Sequence, residues 1–484
     1  MSAPNFLVIM SDEHNPKVAG YAGHPVVQTP NLDALAARGT TFTSAYTTSP
    51  VCIPARAGFA CGKYIHQIGF WDNADAYDGT IPSWHHVLRS RGHRVVSIGK
   101  LHFHLTGEDH GFTEEQIPMH IIEGKGDLMG LVREDLPRRG GAKKMAAMAG
   151  PGESPYTFYD KEICSRAQVW LREEGAKDDG KPWVLFVSFV APHFPLTAPP
   201  EHYYKYWNRD LPMPKLYARE DRPRHPYLED YRNSFCYDDY FESPADVKRA
   251  IAGYFGLVSY VDENIGKVLA ALDAAGLSGN TRVMYTSDHG DNLGARGLWG
   301  KSTMYDEIAG VPLIMAGPGI PAGKRIGTPV SHVDCYPTIV ETAGVPFTSV
   351  KDTHPGVSLL DVAGGKVPAR NVLSEYHGMG TTTGAFAIRN GRWKYVHYAK
   401  YAPQLFDLDA DPDETLDLAA DPKHAGILAE CRARLYAICD PEEVDRRAKA
   451  RQAELLAAHG GREAVIARGD LGFTPAPGFA ADFQ

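Results

Sequence analysis

The sequence predicts an α/β sandwich on a sheet of parallel strands, and three features carry that expectation. First, short apolar runs end in polar or glycine residues: 6–10 into Ser11-Asp12, 95–98 into Gly99-Lys100, 183–190 into Ala191-Pro192-His193, 283–285 into Ser287-Asp288-His289, and 311–315 into Gly317. Second, these runs are rich in Val and Ile and do not alternate, as in strands covered on both faces. Third, helical patterns lie between them. Ligands of such sheets gather beyond the carboxyl ends of the strands, so Asp12, Lys100, His102, His193, Asp288 and His289 are expected to face one region.

Taken in order, Thr29 reads as the N-cap of a helix with Pro30 in its first turn and Gly39 as its terminator. A second helix is expected over 256–275, ending at Gly276. Residues 113–157 and 199–247, rich in Gly, Pro, Tyr and charge, read as long loops over the strand ends. From about residue 370, "GAFAIRNGRWKYVHY" has an Asn-Gly turn between two strand-like runs and reads as an antiparallel hairpin. The expected organisation is a catalytic α/β domain over 1–370 and a smaller C-terminal subdomain over 371–484. That subdomain holds the hairpin, an Ala/Arg/Glu-rich helix over 441–459 and a Gly/Pro-rich tail. No internal repeat is found.

The chain has 484 residues, 43% of them hydrophobic, enough for a large core. Its net charge of −9 and the lack of any run of five basic residues argue against a nucleic-acid partner, while leaving room for a local basic pocket that takes a small anion. The first apolar run has no basic stretch before it and no cleavage-like segment after it, so no signal peptide is read. No stretch is long enough to span a membrane. Seven cysteines, an odd and scattered number, read as reduced thiols in a cytoplasm.

Several groups carry chemistry. Asp12 with Asp288-His289 suits a divalent cation; carboxylates favour a hard ion, and the imidazole admits Mn2+ or Zn2+. Each Asp taken alone reads equally as a cap for the turn after its strand. Lys100, His102 and His104 share one loop that could bind an oxyanion and donate a proton, or the two histidines could form a zinc pair; His104 by default reads as a surface histidine with no role. His193, between two prolines, is held stiffly, for chemistry or for packing. Gly300-Lys301-Ser302 is not a nucleotide-phosphate loop, because Ala295 stands where its first glycine belongs. Asp407, Asp409 and Asp411 are not a calcium loop, because Pro412 and Leu418 replace its glycine and glutamate. In Cys52-Ile53-Pro54-Ala55-Arg56, the cysteine reads as an inert core thiol, a partner for Cys61, or a nucleophile. Its spacing from Arg56 is wrong for a cysteine phosphatase.

The same stretch, followed by Gly58 and Gly62-Lys63, resembles the type I, formylglycine-dependent sulfatases of the alkaline phosphatase superfamily. The resemblance runs along most of the chain, in order. It continues through Asn5-Phe-Leu-Val-Ile-Met-Ser-Asp12, Thr29-Pro-Asn-Leu-Asp33, Ile98-Gly-Lys100-Leu-His102, Ser287-Asp288-His289-Gly290 and Leu405-Phe-Asp-Leu-Asp409. It implies an alkaline-phosphatase-like α/β/α sandwich with a small C-terminal subdomain. It also implies that a formylglycine-generating system converts Cys52 to Cα-formylglycine, whose hydrate attacks sulfur through one hydroxyl and expels sulfate through the other. Carried over by position, Asp12, Asp288, His289 and converted Cys52 would hold one divalent metal, Ca2+ or Mn2+/Zn2+. Arg56 would support the diol, Lys100 and Lys301 would bind sulfate oxygens, His102 would assist deprotonation, and His193 would bind sulfate or protonate the leaving oxygen.

Two departures bear on specificity. Asp12-Glu13 replaces the more usual Asp-Asp, which puts the second ligand in question. Asp288-His289 replaces Asp-Asn, as in choline sulfatases and phosphonate monoester hydrolases. Trp71-Asp-Asn73-Ala-Asp-Ala-Tyr77 resembles the choline-sulfatase stretch around a substrate-contacting Asn, so Asn73 is implied as a contact. The leading expectation is hydrolysis of small organic sulfate monoesters; the runner-up is phosphonate monoester or phosphodiester hydrolysis, and a binding protein with unmodified Cys52 is a third. The loops and tail suggest a homo-oligomer, a dimer or tetramer.

Overall fold

The computed structural model describes residues 3–177, 179–350 and 353–483. Its main sheet has eight strands: β1 (Asn5–Asp12), β2 (Gly39–Phe42), β3 (Val95–Lys100), β4 (Glu114–Met119), β5 (Val184–Pro192), β6 (Thr281–Ser287), β7 (Leu313–Ala316) and β8 (Lys324–Ile326). Their spatial order is β8-β2-β7-β6-β1-β5-β3-β4. The apolar runs of β1 and β5 are continuous because both faces are covered. Leu7 and Ile9 of β1 pack with Ile163 and Trp170 of a helix over Pro155–Glu173 and with Val258 and Val261 of a helix over Pro244–Ala274. Phe6, Val8 and Met10 face the other way, against Phe59 and Ala60 of the helix Cys52–Cys61 and Tyr336 and Ile339 of Cys335–Thr342. This is the expected three-layer sandwich.

Four expectations are corrected. The strand after residue 311 runs antiparallel to both neighbours, pairing Leu313 with Thr286 and Ile314 with Thr41; an apolar run buried on both faces carries no mark of its direction. Gly39 does not end a helix, since Pro30–Ala37 closes on Arg38. Gly39 opens β2, where a Cβ would lie 2.2 Å from the Met315 carbonyl oxygen. The helix expected over 256–275 begins at Pro244, capped by Ser243, whose hydroxyl accepts from the Asp246 N–H. Residues 113–157 and 199–247 are not all loop: they contain β4, an edge strand with a polar, part-exposed face, and helices over Gly141–Met148, Pro200–Trp207 and Pro226–Phe235.

C-terminal to these, Asn371–Tyr376, Ala385–Asn390, Trp393–Tyr398 and Gln404–Asp407 form a four-stranded antiparallel sheet. The expected hairpin is its centre, with Asn390 paired to Trp393 across Gly391-Arg392, and Gly391 at φ +55°. The late helix spans Pro441–Ala458. Among the described residues, no helix is long and apolar enough to cross a membrane.

Candidate active site

Strand register converges the polar residues. β1 pairs in parallel with β5 and β6, so that Asp12 sits beside Pro192 and Ser11 beside Ser287. His193 and Asp288, one residue beyond those partners, therefore arrive at the level of Asp12. The helix Cys52–Cys61 starts at the same height, with Cys52 as its first residue. The Ile53 N–H of its first turn donates to Asn73 Oδ1 at 3.2 Å. The helix N-terminus carries partial positive charge at Cys52. Cys61, nine residues on, lies about 13–14 Å away at the helical rise of ~1.5 Å per residue, beyond disulfide reach, and packs in the core.

Arg56, one turn after Cys52, is 3% exposed and holds the frame together. Its Nε donates to Asp288 Oδ2 at 2.8 Å, its Nη1 to the Lys100 carbonyl at 2.8 Å and Ser188 Oγ at 2.9 Å, and its Nη2 reaches Asp12 Oδ2 at 3.4 Å. Burial alone would raise Asp12; the Lys100 ammonium, with His193 and Arg56, instead holds its carboxyl well below the usual range. One donor atom from each of Asp12, Cys52, Asp288 and His289 lies within 4.8 Å of the others, all four residues buried. This oxygen-rich set with one imidazole fits a divalent ion, and Glu13 is outside it.

Cys52 Sγ lies 3.1 Å from His289 Nε2, 2.9 Å from Lys301 Nζ and 3.8 Å from Asp12 Oδ1. Burial and the Asp12 carboxylate push its thiol up, so Cys52 stays a neutral thiol near pH 7. Lys301 Nζ also meets His193 Nε2 at 2.7 Å. His193 Nδ1 faces the Phe194 carbonyl oxygen at 2.6 Å; that nitrogen therefore donates, and Nε2 accepts from Lys301. Burial, with Lys301 beside it, holds His193 well below the imidazole range. Glu13 Oε2 is 3.2 Å from His193 Nε2, and burial pushes the Glu13 carboxyl well above its ordinary range. His102 stands at φ +56° with both ring nitrogens buried and without a hydrogen-bond partner; burial and Lys100 keep it neutral.

These groups open into a cavity of about 60 Å3, lined by Cys52, Asn73, His102, His193 and Lys301. Tyr231, Phe235, Tyr237 and Phe473 line it as well. Sequence reasoning missed several contributors. Asp160 accepts from the Val190 and Ala191 N–H groups at 2.7 and 2.8 Å and fixes the strand end before His193. The tail, expected only as Gly/Pro-rich, folds over the pocket. Asp470 accepts from Arg139 Nη2 at 2.7 Å and from the Gly141 N–H at 3.0 Å, and Arg139 also binds Asp127 at 2.8 Å. The glycine and phenylalanine around Asp470 are its sole local hint.

Lys100, the last residue of β3, is 0% exposed and pairs with Asp12 Oδ2. His104 does not share a site with His102: its Nδ1 binds Glu108 Oε1 at 2.7 Å. The turn at His102, whose φ is positive, breaks the extended spacing that would aim both rings one way.

A family model described as sulfatase matches residues 4–345, and one described as N-sulphoglucosamine sulphohydrolase, C-terminal, matches residues 294–440. The chain is 34% identical over 427 residues to choline-sulfatase of Rhizobium meliloti, covering 87% of this chain and 83% of that protein. It is 29% identical over 442 residues to arylsulfatase K of Homo sapiens, covering 86% and 79%. The fold is shared with the phosphonate monoester hydrolase of Agrobacterium radiobacter at a TM-score of 0.73 and 24% identity, over 90% of this chain and 95% of that one. With Cys52, Arg56, Asp12 and Asp288-His289 gathered at the strand ends of an alkaline-phosphatase-like sandwich, the chain belongs to the sulfatase family and is a sulfuric ester hydrolase.

Proposed function

We propose that this hydrolase cleaves small organic sulfate monoesters, with Cys52 converted to Cα-formylglycine as the nucleophilic residue and one divalent metal held by Asp12, Asp288, His289 and residue 52. The observation that carries this reading is the set of contacts at Cys52 Sγ: His289, Lys301 and Asp12 all reach it at a helix N-terminus, yet the thiol itself is kept neutral. A hydrated aldehyde there supplies the hydroxyl nucleophile, and the metal, Ca2+ or Mn2+/Zn2+, supplies positive charge at the sulfuryl oxygens. Conversion by a formylglycine-generating system must precede folding, since Cys52 is 1% exposed.

The chain's own residues do the rest. Arg56 and Lys100 balance the two carboxylates and fix their orientation. Lys301 lies where a sulfuryl oxygen approaches residue 52 and binds it as a point charge. Burial would lower Lys301, but Cys52 and Glu13 hold it well above the usual lysine range, so it stays an ammonium; His193, whose Nε2 accepts from Lys301, binds the sulfuryl group or passes a proton to the leaving oxygen. His102, with two unpartnered nitrogens on the wall, takes the proton released at residue 52. Asn73 acts by capping the helix of Cys52 and lining the cavity. Arg139 pairs with both Asp127 and Asp470, leaving that trio one net negative charge, and the aromatic rings and Met145 that line the same cavity suit a small organic alcohol. We place this activity in the cytoplasm, on the free buried thiols Cys164, Cys335 and Cys431.

The test is kcat/KM on an aryl sulfate against an aryl phosphonate monoester, with Lys301→Ala beside the parent. We expect sulfate to be preferred and Lys301→Ala to lose about 100- to 1,000-fold. A large preference for the phosphonate ester, which the same cations would bind, would establish the phosphonate reading instead. Peptide mass spectrometry across Cys52 in protein from the native host checks the nucleophile; an unmodified thiol would remove it.

A further inference from the structure

We propose that His110, Glu115 and His120 form a second metal site, for Zn2+ or a similar borderline transition ion, at the outer edge of the sheet and apart from the catalytic pocket. Glu115 lies on the edge strand β4, His120 just after it, and His110 on the loop leading into it. The Glu115 carboxylate stands between the rings: Oε1 is 3.0 Å from His110 Nδ1, and Oε2 is 3.4 Å from His120 Nε2. One donor atom from each residue lies within 4.8 Å of the others. Tetrahedral zinc with bonds of about 2.0–2.1 Å sets its donors about 3.3–3.5 Å apart, so the set closes on an ion with small side-chain movements.

Two further observations point to a ligand. The His110 and His120 side chains are 0% and 6% exposed, and His110 Nε2 and both nitrogens of His120 lack hydrogen-bond partners. A ligating His120 would give a ring-nitrogen lone pair to the ion. The outer arrangement is also that of a metal site. Glu108 Oε2 lies 3.6 Å from His110 Nε2, on the side of the ring away from Glu115, and Glu108 Oε1 takes the hydrogen bond of His104 Nδ1. A carboxylate behind a ligating histidine fixes its tautomer and orientation. Phe103 and Tyr77 pack on His110 with ring centroids 5.1 and 6.2 Å away, giving the site an apolar back wall.

The ion would fasten the 101–113 loop, which carries His102, to the edge strand. Leu101 and His102 N–H groups already donate to the Met119 carbonyl at 3.2 and 2.7 Å, one residue before His120.

The experiment is equilibrium dialysis of the purified full chain against Zn2+ with elemental analysis, alongside thermal melts with zinc or EDTA. The parent, His120→Ala, Glu115→Gln and Asp288→Asn are compared. The parent should hold one more zinc than His120→Ala or Glu115→Gln, with zinc affinity falling at least about 100-fold at this site in each. Zinc should raise the melting temperature of the two edge variants by less than that of the parent, and the edge-site share of the rise should persist in Asp288→Asn. Equal zinc content in the parent and both edge variants would overturn the proposal. So would a zinc increment removed by Asp288→Asn alone.

Discussion

Arg56→Met tests whether one guanidinium holds the carboxylates of the pocket in place. The variant removes the contacts to Asp288 at 2.8 Å and Asp12 at 3.4 Å, and the donors to the Lys100 carbonyl and Ser188 Oγ. Both carboxylates are 0% exposed, so no water replaces what is lost, and Lys100 remains as the cation against Asp12. Removing one partner of a buried ion pair costs about 3–5 kcal/mol. An unfolding entropy of about 2.1 cal/mol/K per residue amounts to about 1.0 kcal/mol/K over 484 residues. The expected fall in Tm is therefore about 3–5 °C by calorimetry near neutral pH. Arg56→Lys keeps the charge, but a single ammonium cannot span Asp12, Asp288 and the Lys100 carbonyl, so it should recover less than half of that loss. Displaced carboxylates should also cost about 100-fold in kcat/KM on a sulfate ester. A Met variant that melts within about 1 °C of the parent and keeps more than half its activity would refute the reasoning.

Three more outcomes follow from the packing. His332 is buried and pushed down to about 4 by desolvation; folded it stays neutral, while the unfolded chain takes up a proton below about 6.5. The parent should thus lose about 2 kcal/mol relative to His332→Gln as pH falls from about 6.5 to 5; urea titrations that show a constant gap between the two would rule this out. Gly39→Ala places a Cβ 2.2 Å from the Met315 carbonyl oxygen and must part β2 from β7, costing more than about 3 kcal/mol. Gly23→Ala, at φ +90° but with open space around it, should cost only about 1 kcal/mol, a contrast read from thermal melts. Asp470→Ala frees the tail from Arg139 and the Gly141 N–H, and should raise KM about tenfold with kcat within about twofold. An unchanged KM would mean that the tail does not shape the pocket.

The interior strands and the residues after them were legible because burial on both faces forces an unbroken apolar run, and because a strand end is where a parallel sheet opens. Asp12, His193 and Asp288 were therefore placed correctly from sequence position. The edge strands were not legible: Glu114–Met119 and Lys324–Ile326 face solvent and carry no such run. The direction of Leu313–Ala316 was hidden for the opposite reason, since burial on both faces looks the same in either direction. Asn73 was visible as a residue of interest, but its hydrogen bond to Ile53 shows it supporting the helix of Cys52.

By itself, then, the sequence determined the sandwich and put Asp12, Asp288 and His289 after strand ends, because local patterns of burial encode them. The place of Cys52 at a helix start and among the candidate metal ligands came from its resemblance to formylglycine-dependent sulfatases. Only the tertiary structure decided which way the charges point. It paired Lys100 with Asp12, tied Lys301 to His193, and left His102 with open nitrogens. It also brought Asp470 from the far end of the chain to close the pocket through Arg139. Those pairings join residues tens to hundreds of positions apart, and they depend on side-chain reach across packed layers, which no local pattern records.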